Sequence, residues 1–359
     1  MRGEFKPLRR RAATAWLALS CLALSACAPP KLTPLKSPFP PTSRWERTLD
    51  GASSGPLVSD GTAVFTAASD GTVSAWDAAT GAPLWSRKVG GAARLAVRPG
   101  LLVCAESSGI VWGLETSDGG ARYKTTTGVT GVSTLRVDGN RVFLGGSAGF
   151  AALIASTGEL RFDLPATQVR DLDVAGEWLA AIEDGQLVER ARETGLVRFK
   201  LASPEGEFGA PALFPDGRVV VGSGMRLVRS VSSKGRFGWR FKVGARVKDR
   251  PLDFGDGRRV GILSYEGVFY EVSLKGGDMR RRAPLASRPF GPATLVSGRI
   301  FAPIFDDDLV SIDSRTLKVL GRTRFGGSYL HAPVLAGDRM IAEVAGPRRL
   351  VALGLVPLP

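Results

Sequence analysis

The sequence predicts an all-β fold made of eight copies of one four-stranded unit, and three observations support this. Glycines that form turns before an apolar strand recur along the chain, at Gly61, Gly100, Gly139, Gly176, Gly217, Gly257, Gly298 and Gly337. The gaps between them are 39, 39, 37, 41, 40, 41 and 39 residues. The intervening segments hold no helical apolar period, which excludes helical repeats of similar length. A β-rich repeat of about 40 residues is typical of propeller blades, so we predict an eight-bladed β-propeller with four-stranded antiparallel blades.

The first unit shows how one blade divides into strands A to D. Strand A is "PLVS" from Pro56, strand B "TAVFTAA", strand C "VSAWDA" and strand D "PLWSRKVGG". Asp77 and Gly81 form the turn between strands C and D, where glycine supplies a positive φ. We expect the propeller to span residues 43–357, with blades starting near residues 55, 94, 134, 171, 210, 250, 292 and 333.

An aromatic residue follows the glycine of the C–D turn by four positions in five units. These residues are Trp85, Tyr123, Phe162, Phe199 and Trp239. We assign them to inter-blade docking, because a ring on each outer strand can lie against the neighbouring blade and so pair with the next copy of the unit. The sixth unit has Arg280 in this place, and the seventh has Leu317 and Gly321 in place of the glycine and the aromatic.

The eighth unit ends before a strand D, and a matching segment occurs near the other end of the chain. "WERTLDG" from Trp45 is similar to "WSRKVGG" from Trp85. We therefore predict that residues 44–50 complete blade eight by pairing with the strand around Arg349 to Leu353, with Trp45 as the ring-closing residue. Closure matters because an open ring would expose two blade faces and a free sheet edge.

Residues 1–26 have the layout of a secretory signal, with a basic start and the short apolar run "AATAWLALSCLAL". The run ends in "LSAC", which resembles the lipobox of bacterial lipoproteins and implies lipidation of Cys27; the alternative is an ordinary cleaved signal. Residues 27–42 are rich in proline and are expected to form an extended tether. Ala28 resembles the sorting pattern for the outer membrane, so we expect a lipid anchor on its periplasmic side.

The consensus "DGTVxAxDxxTGxxxW", taken from residues 70–85, resembles the PQQ-type β-propeller repeat. That repeat occurs in quinoprotein dehydrogenases and in BamB-type outer-membrane assembly lipoproteins, and both groups are eight-bladed. The resemblance covers roughly residues 43–357 and is strongest in blades one and five. It implies the fold, and it leaves an enzyme and a scaffold as alternative functions.

The sequence lacks the residues that a quinoprotein dehydrogenase would use to bind its cofactor and calcium. Quinoprotein alcohol dehydrogenases carry adjacent cysteines and a calcium site with amide ligands, whereas no two cysteines are adjacent here and Asn140 is the only asparagine. His331 is the only histidine, so a multi-histidine metal site is excluded. Asp306, Asp307 and Asp308 could suggest a hard-cation site, but we interpret them as turn residues. We expect no catalytic residue, no cofactor and no metal.

Basic residues are concentrated in blades five and six. Without residues 1–26 the chain has 43 Lys and Arg against 33 Asp and Glu, and residues 226–282 alone hold 15 basic and six acidic residues. The D–A loops and B–C turns share one face, so Arg226, Arg246, Lys248 and Arg250 are expected to meet there as partner-binding residues. Arg280, Arg281 and Arg282 fall on an outer strand, where they can prevent pairing with other chains.

These observations predict a non-enzymatic, lipid-anchored periplasmic scaffold. It is expected to be a monomeric propeller that holds an envelope protein, and the resemblance implies a part in outer-membrane β-barrel assembly. A local positive field attracts anionic partners, so a module for anionic polysaccharide or lipid headgroups is the alternative. Nucleic acid is not expected for an exported chain, and a quinoprotein dehydrogenase is the second alternative.

Overall fold

The structure, a computed structural model, describes residues 44–91, 93–165, 167–305 and 308–354. The predicted signal (1–26), Cys27, the tether (27–42), Asp306 and Asp307 lie outside the described residues. No helix in the described ranges is long and apolar enough to cross a membrane.

Within these ranges the strands form eight antiparallel sheets of four. Blade one contains β2 (Val58–Ser59), β3 (Ala63–Ala67), β4 (Thr72–Asp77) and β5 (Pro83–Lys88), and blade two contains β6 (Ala93–Arg98), β7 (Leu101–Glu106), β8 (Ile110–Glu115) and β9 (Ala121–Thr126). Blade three contains β10 (Thr130–Asp138), β11 (Arg141–Ala148), β12 (Phe150–Ile154) and β13 (Leu160–Leu164), and blade four contains β14 (Val169–Ala175), β15 (Trp178–Glu183), β16 (Gln186–Ala191) and β17 (Val197–Leu201).

The second half of the ring repeats this order. Blade five contains β18 (Ala212–Leu213), β19 (Val219–Ser223), β20 (Leu227–Val231) and β21 (Phe237–Lys242), and blade six contains β22 (Leu252–Asp253), β23 (Arg259–Ser264), β24 (Val268–Ser273) and β25 (Met279–Pro284). Blade seven contains β26 (Thr294–Val296), β27 (Arg299–Ile304), β28 (Asp308–Asp313) and β29 (Val319–Arg324). Blade eight contains β30 (Val334–Ala336), β31 (Arg339–Val344), β32 (Arg349–Gly354) and, from the other end of the chain, β1 (Arg44–Thr48).

The strand β1 is the outer strand of blade eight, and the predicted ring closure is confirmed. It pairs antiparallel with β32 in a register that sets Trp45 opposite Ala352 and Thr48 opposite Arg349. The eight-bladed all-β fold predicted from the glycine spacing is therefore confirmed, including the contribution of the amino-terminal strand.

The apolar core lies between blades rather than within one sheet. Phe65 of β3 packs in one buried cluster with Leu102 of β7, and Leu101 of β7 packs in another with Val142 of β11. Each blade therefore buries its two faces against its two neighbours, as repeat architectures require.

The seam between blades eight and one is packed in the same way. Val64 of β3, Ile341 of β31 and Leu350 of β32 are fully buried in one cluster, and Trp45 packs against it. Closing the ring thus buries apolar surface of the same kind as every other blade contact.

The connections between strands define two faces of the ring. We call the face formed by the D–A loops and B–C turns the loop face, and the opposite one, formed by the A–B and C–D turns, the turn face. In blades five to seven the loop face consists of residues 202–211, 224–226, 243–251, 265–267 and 285–293 together with Phe305.

Candidate functional site

The five aromatic residues assigned to inter-blade docking each lie on a C–D turn of the following blade. The ring of Trp85 lies on Gly119, so close that a methyl group there would be 2.8 Å from a ring carbon. Trp45 lies on Gly81 of blade one in the same manner, at 2.5 Å. The others lie on Gly158 (Tyr123), Gly195 (Phe162), Gly235 (Phe199) and Gly277 (Trp239). The ring thus contacts a turn glycine of the next copy rather than the next aromatic ring.

The tryptophans also form hydrogen bonds across the blade contact. The indole N–H of Trp45 donates to the carbonyl of Ala78 at 3.1 Å, and that of Trp85 donates to the carbonyl of Thr116 at 2.8 Å. Two residues further on, Arg47 donates to the carbonyl of Gly81 at 2.9 Å. The closing strand therefore uses the same contacts as an internal blade.

Blades six and seven replace this contact with other groups. The glycine with positive φ in blade six is Gly277, so the position of the aromatic is occupied by Arg281, not Arg280 as the sequence suggested. The Arg281 guanidinium pairs with Glu271 at 2.7 Å and donates to the carbonyl of Arg315 in the next blade. Leu317 adopts the positive φ that glycine has elsewhere, and its buried side chain packs into the core between these blades.

The loop face has a backbone framework that repeats from blade to blade. The carbonyl of Glu207 accepts a hydrogen bond from the amide of Gly224, that of Arg246 from Tyr265, and that of Arg288 from Phe305, at 2.9, 2.9 and 3.0 Å. Glu207, Arg246 and Arg288 therefore occupy equivalent positions in blades five, six and seven. Each D–A loop is fixed to the B–C turn of its own blade, which holds these side chains on a rigid support.

A charged cavity of about 290 Å³ opens on the loop face between blades four, five and six. Its charged lining consists of Arg170, Asp171, Glu207, Arg246 and Lys248. The Glu207 carboxylate lies 2.6 Å from Arg246 and 3.8 Å from Arg170, and its side chain is 64% exposed. Arg170 from strand β14 and Arg246 from a D–A loop thus already hold one carboxylate that is in contact with solvent.

Aromatic rings extend this cationic surface toward blade seven. The Lys248 ammonium lies 4.9 Å from the centre of the Tyr265 ring, and the Arg288 guanidinium lies 4.3 Å from Phe305 and 5.9 Å from Tyr265. Phe305 is 38% exposed, and its ring meets Phe290 edge-on at 5.3 Å. These are cation–π distances, so the two cations are held over aromatic faces.

Arg250, at the end of the D–A loop of blade six, is bound by residues of blade four. Arg250 lies 2.8 Å from the Asp173 carboxylate and donates to the carbonyl of Leu172 at 2.6 Å. Burial raises the pKa of Asp171 and lowers the pKa of Arg136 to about 10. Arg250 is therefore engaged by blade four and is not presented to a partner in the way that we predicted for the four cations together.

Asp249, the acid in loop 243–251, has a raised pKa. Burial, reinforced by the neighbouring Asp171 charge, raises its pKa to about 6, and Lys248 opposes that shift. The carboxyl therefore titrates close to neutral pH, in contact with the surface that carries the cations.

Arg226 lies in a second groove on the loop face of blade five. Its charged lining consists of Arg226, Arg240, Lys242 and Glu205, and Met225 beside them is 71% exposed. The structure thus brings Arg246 and Lys248 into one cavity, places Arg226 in another groove, and turns Arg250 inward.

Arg288, Tyr265 and Phe305 were not predicted as members of this surface. Tyr265 lies within the basic segment 226–282 but is uncharged, and Arg288 and Phe305 follow that segment in the chain. Aligning the D–A loops on the prolines that precede strand A pairs Arg288 with Glu207, four residues before Pro292 and Pro211, but leaves Arg246 out of step, five residues before Pro251.

Other candidate groups have local structural contacts. His331 Nε2 lies 3.0 Å from Ser53 Oγ, linking the last D–A loop to the segment after β1, and burial lowers the His331 pKa. Asp308, which is 1% exposed, lies 3.3 Å from Arg322 and 2.9 Å from Arg324. Within the described ranges no group of three His, Cys, Asp or Glu residues could hold a metal ion.

Comparison with known families finds one family model that matches part of the sequence. The family model described as outer membrane protein assembly factor BamB matches residues 42–201, less than half of the chain. None of the curated proteins matches the sequence. The resemblance to the PQQ-type propeller repeat and to BamB that the repeat unit predicted is thus confirmed.

Solved structures share the architecture at low sequence identity. BamB from Moraxella catarrhalis superposes with a TM-score of 0.69 at 14% identity, over 86% of this chain and 98% of that one. The computationally designed Ika8 protein gives 0.71 at 15% identity, over 85% and 97%. Sqt1 from Saccharomyces cerevisiae gives 0.72 at 12% identity, over 89% and 100%. At these identities the likeness shows the fold.

Proposed function

We propose that this chain is a non-enzymatic, lipid-anchored scaffold on the periplasmic side of the outer membrane that holds another envelope protein through its loop face. The observation that carries the proposal is the rigid display of cationic and aromatic side chains on that face. Arg246, Lys248 and Arg288 stand on loops that are fixed by backbone hydrogen bonds at equivalent positions. Arginine and aromatic residues are enriched at protein interfaces, where they supply much of the binding energy.

Anchoring through lipid rests on the sequence of the amino-terminal segment. The "LSAC" motif supports acylation of Cys27, and a chain with two or more acyl groups stays on the membrane. Labelling cells with a palmitate analogue tests this: the protein should incorporate the label, and Cys27→Ser should abolish incorporation and release the protein into the soluble fraction. A Cys27→Ser variant that still carries the label would disprove the anchor.

The partner is proposed to be a component of the β-barrel assembly machinery. The match to the BamB family model and the similar propeller of the Moraxella catarrhalis protein support this role. The experiment is photocrosslinking in cells from Lys248 and, as a control on the turn face, from Leu196, which is 70% exposed. Recovery of a β-barrel assembly component from Lys248 but not from Leu196 supports the role. Recovery of a different protein from Lys248 would refute this partner and leave the scaffold function in place.

Binding of anionic polysaccharide or lipid headgroups is the second candidate function. The groove that surrounds Met225 favours it, because three cations beside an exposed apolar side chain suit a surface of anionic amphiphiles. Sedimentation with phosphatidylglycerol vesicles tests it. Salt-sensitive binding that is lost in Arg240→Glu supports this function, and no binding at low salt refutes it.

The non-enzymatic part of the proposal is tested separately. Incubation with pyrroloquinoline quinone and calcium, followed by gel filtration, should leave the protein without the absorption spectrum of the quinone. A protein that retains the quinone and reduces a dye with an alcohol would be an enzyme.

A further inference from the structure

We propose that the loop face of blades five to seven binds an extended acidic peptide segment of its partner, with a carboxylate held by arginines and an adjacent apolar side chain held against aromatic edges. We call this site the cationic–aromatic surface and define it as Arg246, Lys248, Tyr265, Arg288 and Phe305. The inference rests on the proposed scaffold function and specifies the chemistry of its partner.

The loop face at this surface already holds a carboxylate. Glu207 occupies the position equivalent to Arg246 and Arg288, one blade earlier, and its carboxylate lies 2.6 Å from Arg246. Arg170 approaches the same carboxylate from blade four, at 3.8 Å. Because the Glu207 side chain is 64% exposed, a partner carboxylate can reach these arginines and replace it. Arginine favours such planar contacts with carboxylates.

The exposed charges nearest the aromatic rings are basic. Lys248 lies over the Tyr265 ring and Arg288 over the Phe305 ring, and both side chains are exposed. The acids Asp171 and Glu207 line the adjacent cavity, and Asp249 and Glu266 lie on the same loops. The cations beside the rings therefore favour an acidic segment at this point of the loop face.

The aromatic rings of the surface suit a peptide better than a polysaccharide. Sugar rings stack on open aromatic faces, but here the face of Tyr265 is covered by Lys248 and that of Phe305 by Arg288. The exposed part of Phe305 offers apolar contact beside the cations, which suits an aliphatic or aromatic side chain. A guanidinium stacked on a ring keeps its N–H groups free to donate to a carboxylate at the edge.

The shape of the adjacent cavity suits a peptide better than a membrane surface. The cavity of about 290 Å³ is recessed, and its lining includes Ile182 and Phe208 as well as the charged side chains. A flat layer of headgroups cannot follow such a cavity, whereas a side chain of an extended segment can enter it.

The test is selection from a phage-displayed library of random linear peptides on the full-length, detergent-solubilised protein. Selected peptides should be rich in Asp and Glu beside aromatic or aliphatic residues. Their affinities, measured by fluorescence anisotropy, should fall about tenfold or more in Lys248→Glu and in Arg288→Glu. Glu207→Gln should raise affinity severalfold, because it frees Arg246 for the peptide carboxylate.

Two variants on the turn face provide matched controls. Arg258→Glu makes the same charge change at an exposed position, and Leu196→Ser removes an exposed apolar side chain. Both should leave peptide affinity unchanged. If Lys248→Glu does not fold, as judged by thermal denaturation, Lys248→Ala should still weaken binding.

The opposite results would overturn the proposal. Selection of peptides without acidic residues, or equal affinities in Lys248→Glu and Arg258→Glu, would exclude this surface as an acidic-peptide site. Binding of phosphatidylglycerol vesicles or anionic glycan that depends on Lys248 and Arg288, without acidic peptides being selected, would assign the surface to that ligand instead. If any of these results is obtained while Lys248 still crosslinks to an envelope protein in cells, the scaffold function is retained and only the acidic-peptide site is refuted.

Discussion

The indole N–H of Trp45 donates to the backbone carbonyl of Ala78 at 3.1 Å, across the seam where the ring closes. Trp45 belongs to the outer strand of blade eight and Ala78 to the C–D turn of blade one. Trp85 makes the same contact with Thr116 between blades one and two. The seam therefore has the chemistry of an ordinary blade contact, supplied from the opposite end of the chain.

Trp45→Ala should lower the free energy of unfolding by about 2–3 kcal/mol, because it removes a half-buried ring and leaves the carbonyl of Ala78 without this donor. Trp45→Phe retains ring packing and should cost about 1 kcal/mol. Urea denaturation followed by circular dichroism measures both. Leu196→Ala, at an exposed position on the turn face, is the control, and a Trp45→Ala midpoint equal to that of the control would contradict the role in closure.

Gly119→Ala should destabilise the protein more than Gly100→Ala. Both glycines have positive φ, +72 and +76, so each alanine introduces backbone strain of about 1 kcal/mol. Only at Gly119 would the new methyl also meet the Trp85 ring, whereas nothing lies within 4 Å at Gly100. We expect an additional cost of about 1–3 kcal/mol at Gly119, seen as a lower midpoint of thermal unfolding. Equal unfolding midpoints for Gly119→Ala and Gly100→Ala would show that the Trp85 ring can move away from the Gly119 turn without cost.

Arg348→Met should lower the free energy of unfolding by about 3–5 kcal/mol, since the Glu343 carboxylate is fully buried and would lose the cation that lies 2.5 Å away. The same guanidinium donates to the carbonyl of Asp50 at 2.6 Å, which joins blade eight to the segment after β1. The double variant Arg348→Met/Glu343→Gln should regain part of the loss. A double-mutant cycle in urea measures the coupling, and additive losses would argue against a linked pair.

Asp249→Asn should stabilise the protein above neutral pH and have little effect in acid. The folded pKa of Asp249 is raised to about 6 from an unfolded value of 3.8, so ionisation in the folded state is unfavourable. Below pH 3.8 Asp249 is protonated in both the folded and the unfolded state, so it does not change the free energy of unfolding. The destabilisation caused by ionising it in the folded state grows as the pH rises from 3.8 to 6 and is complete above 6. The amide variant should gain about 2 kcal/mol at pH 7.5 by urea titration. A gain from Asp249→Asn that does not change with pH would refute this explanation.

The propeller itself was predictable because its signals are local and repeated. A positive-φ glycine and an aromatic four residues later occur in each regular blade. The contact of such a ring with the turn glycine of the next blade recurs between Trp45 and Gly81 at the seam. Where one partner changes, the alignment fails: the sequence suggested Arg280 for blade six, but the register sets Arg281 opposite Glu271. Gly276 and Gly277 are adjacent, and the sequence alone does not show that Gly277 is the one with the positive φ of the turn.

The loop face was less predictable because its contacts join residues from different blades. Arg246 and Lys248 were found from charge alone, but charge did not show that Arg250 is held by Asp173 of blade four. Arg288 and Phe305 join the surface through a backbone hydrogen bond between a D–A loop and a B–C turn, which no side-chain pattern marks. Loops of differing length carry no periodic signal, so their assembly emerges only from the folded ring.

The pairing of β1 with β32 also sets an order of events for a newly made chain. During synthesis Trp45 is made long before Ala352, so β1 lacks its pairing partner until β32 has been made. Contacts between residues so distant in sequence form slowly. The ring can therefore close only after the last strand of the chain is available to the first.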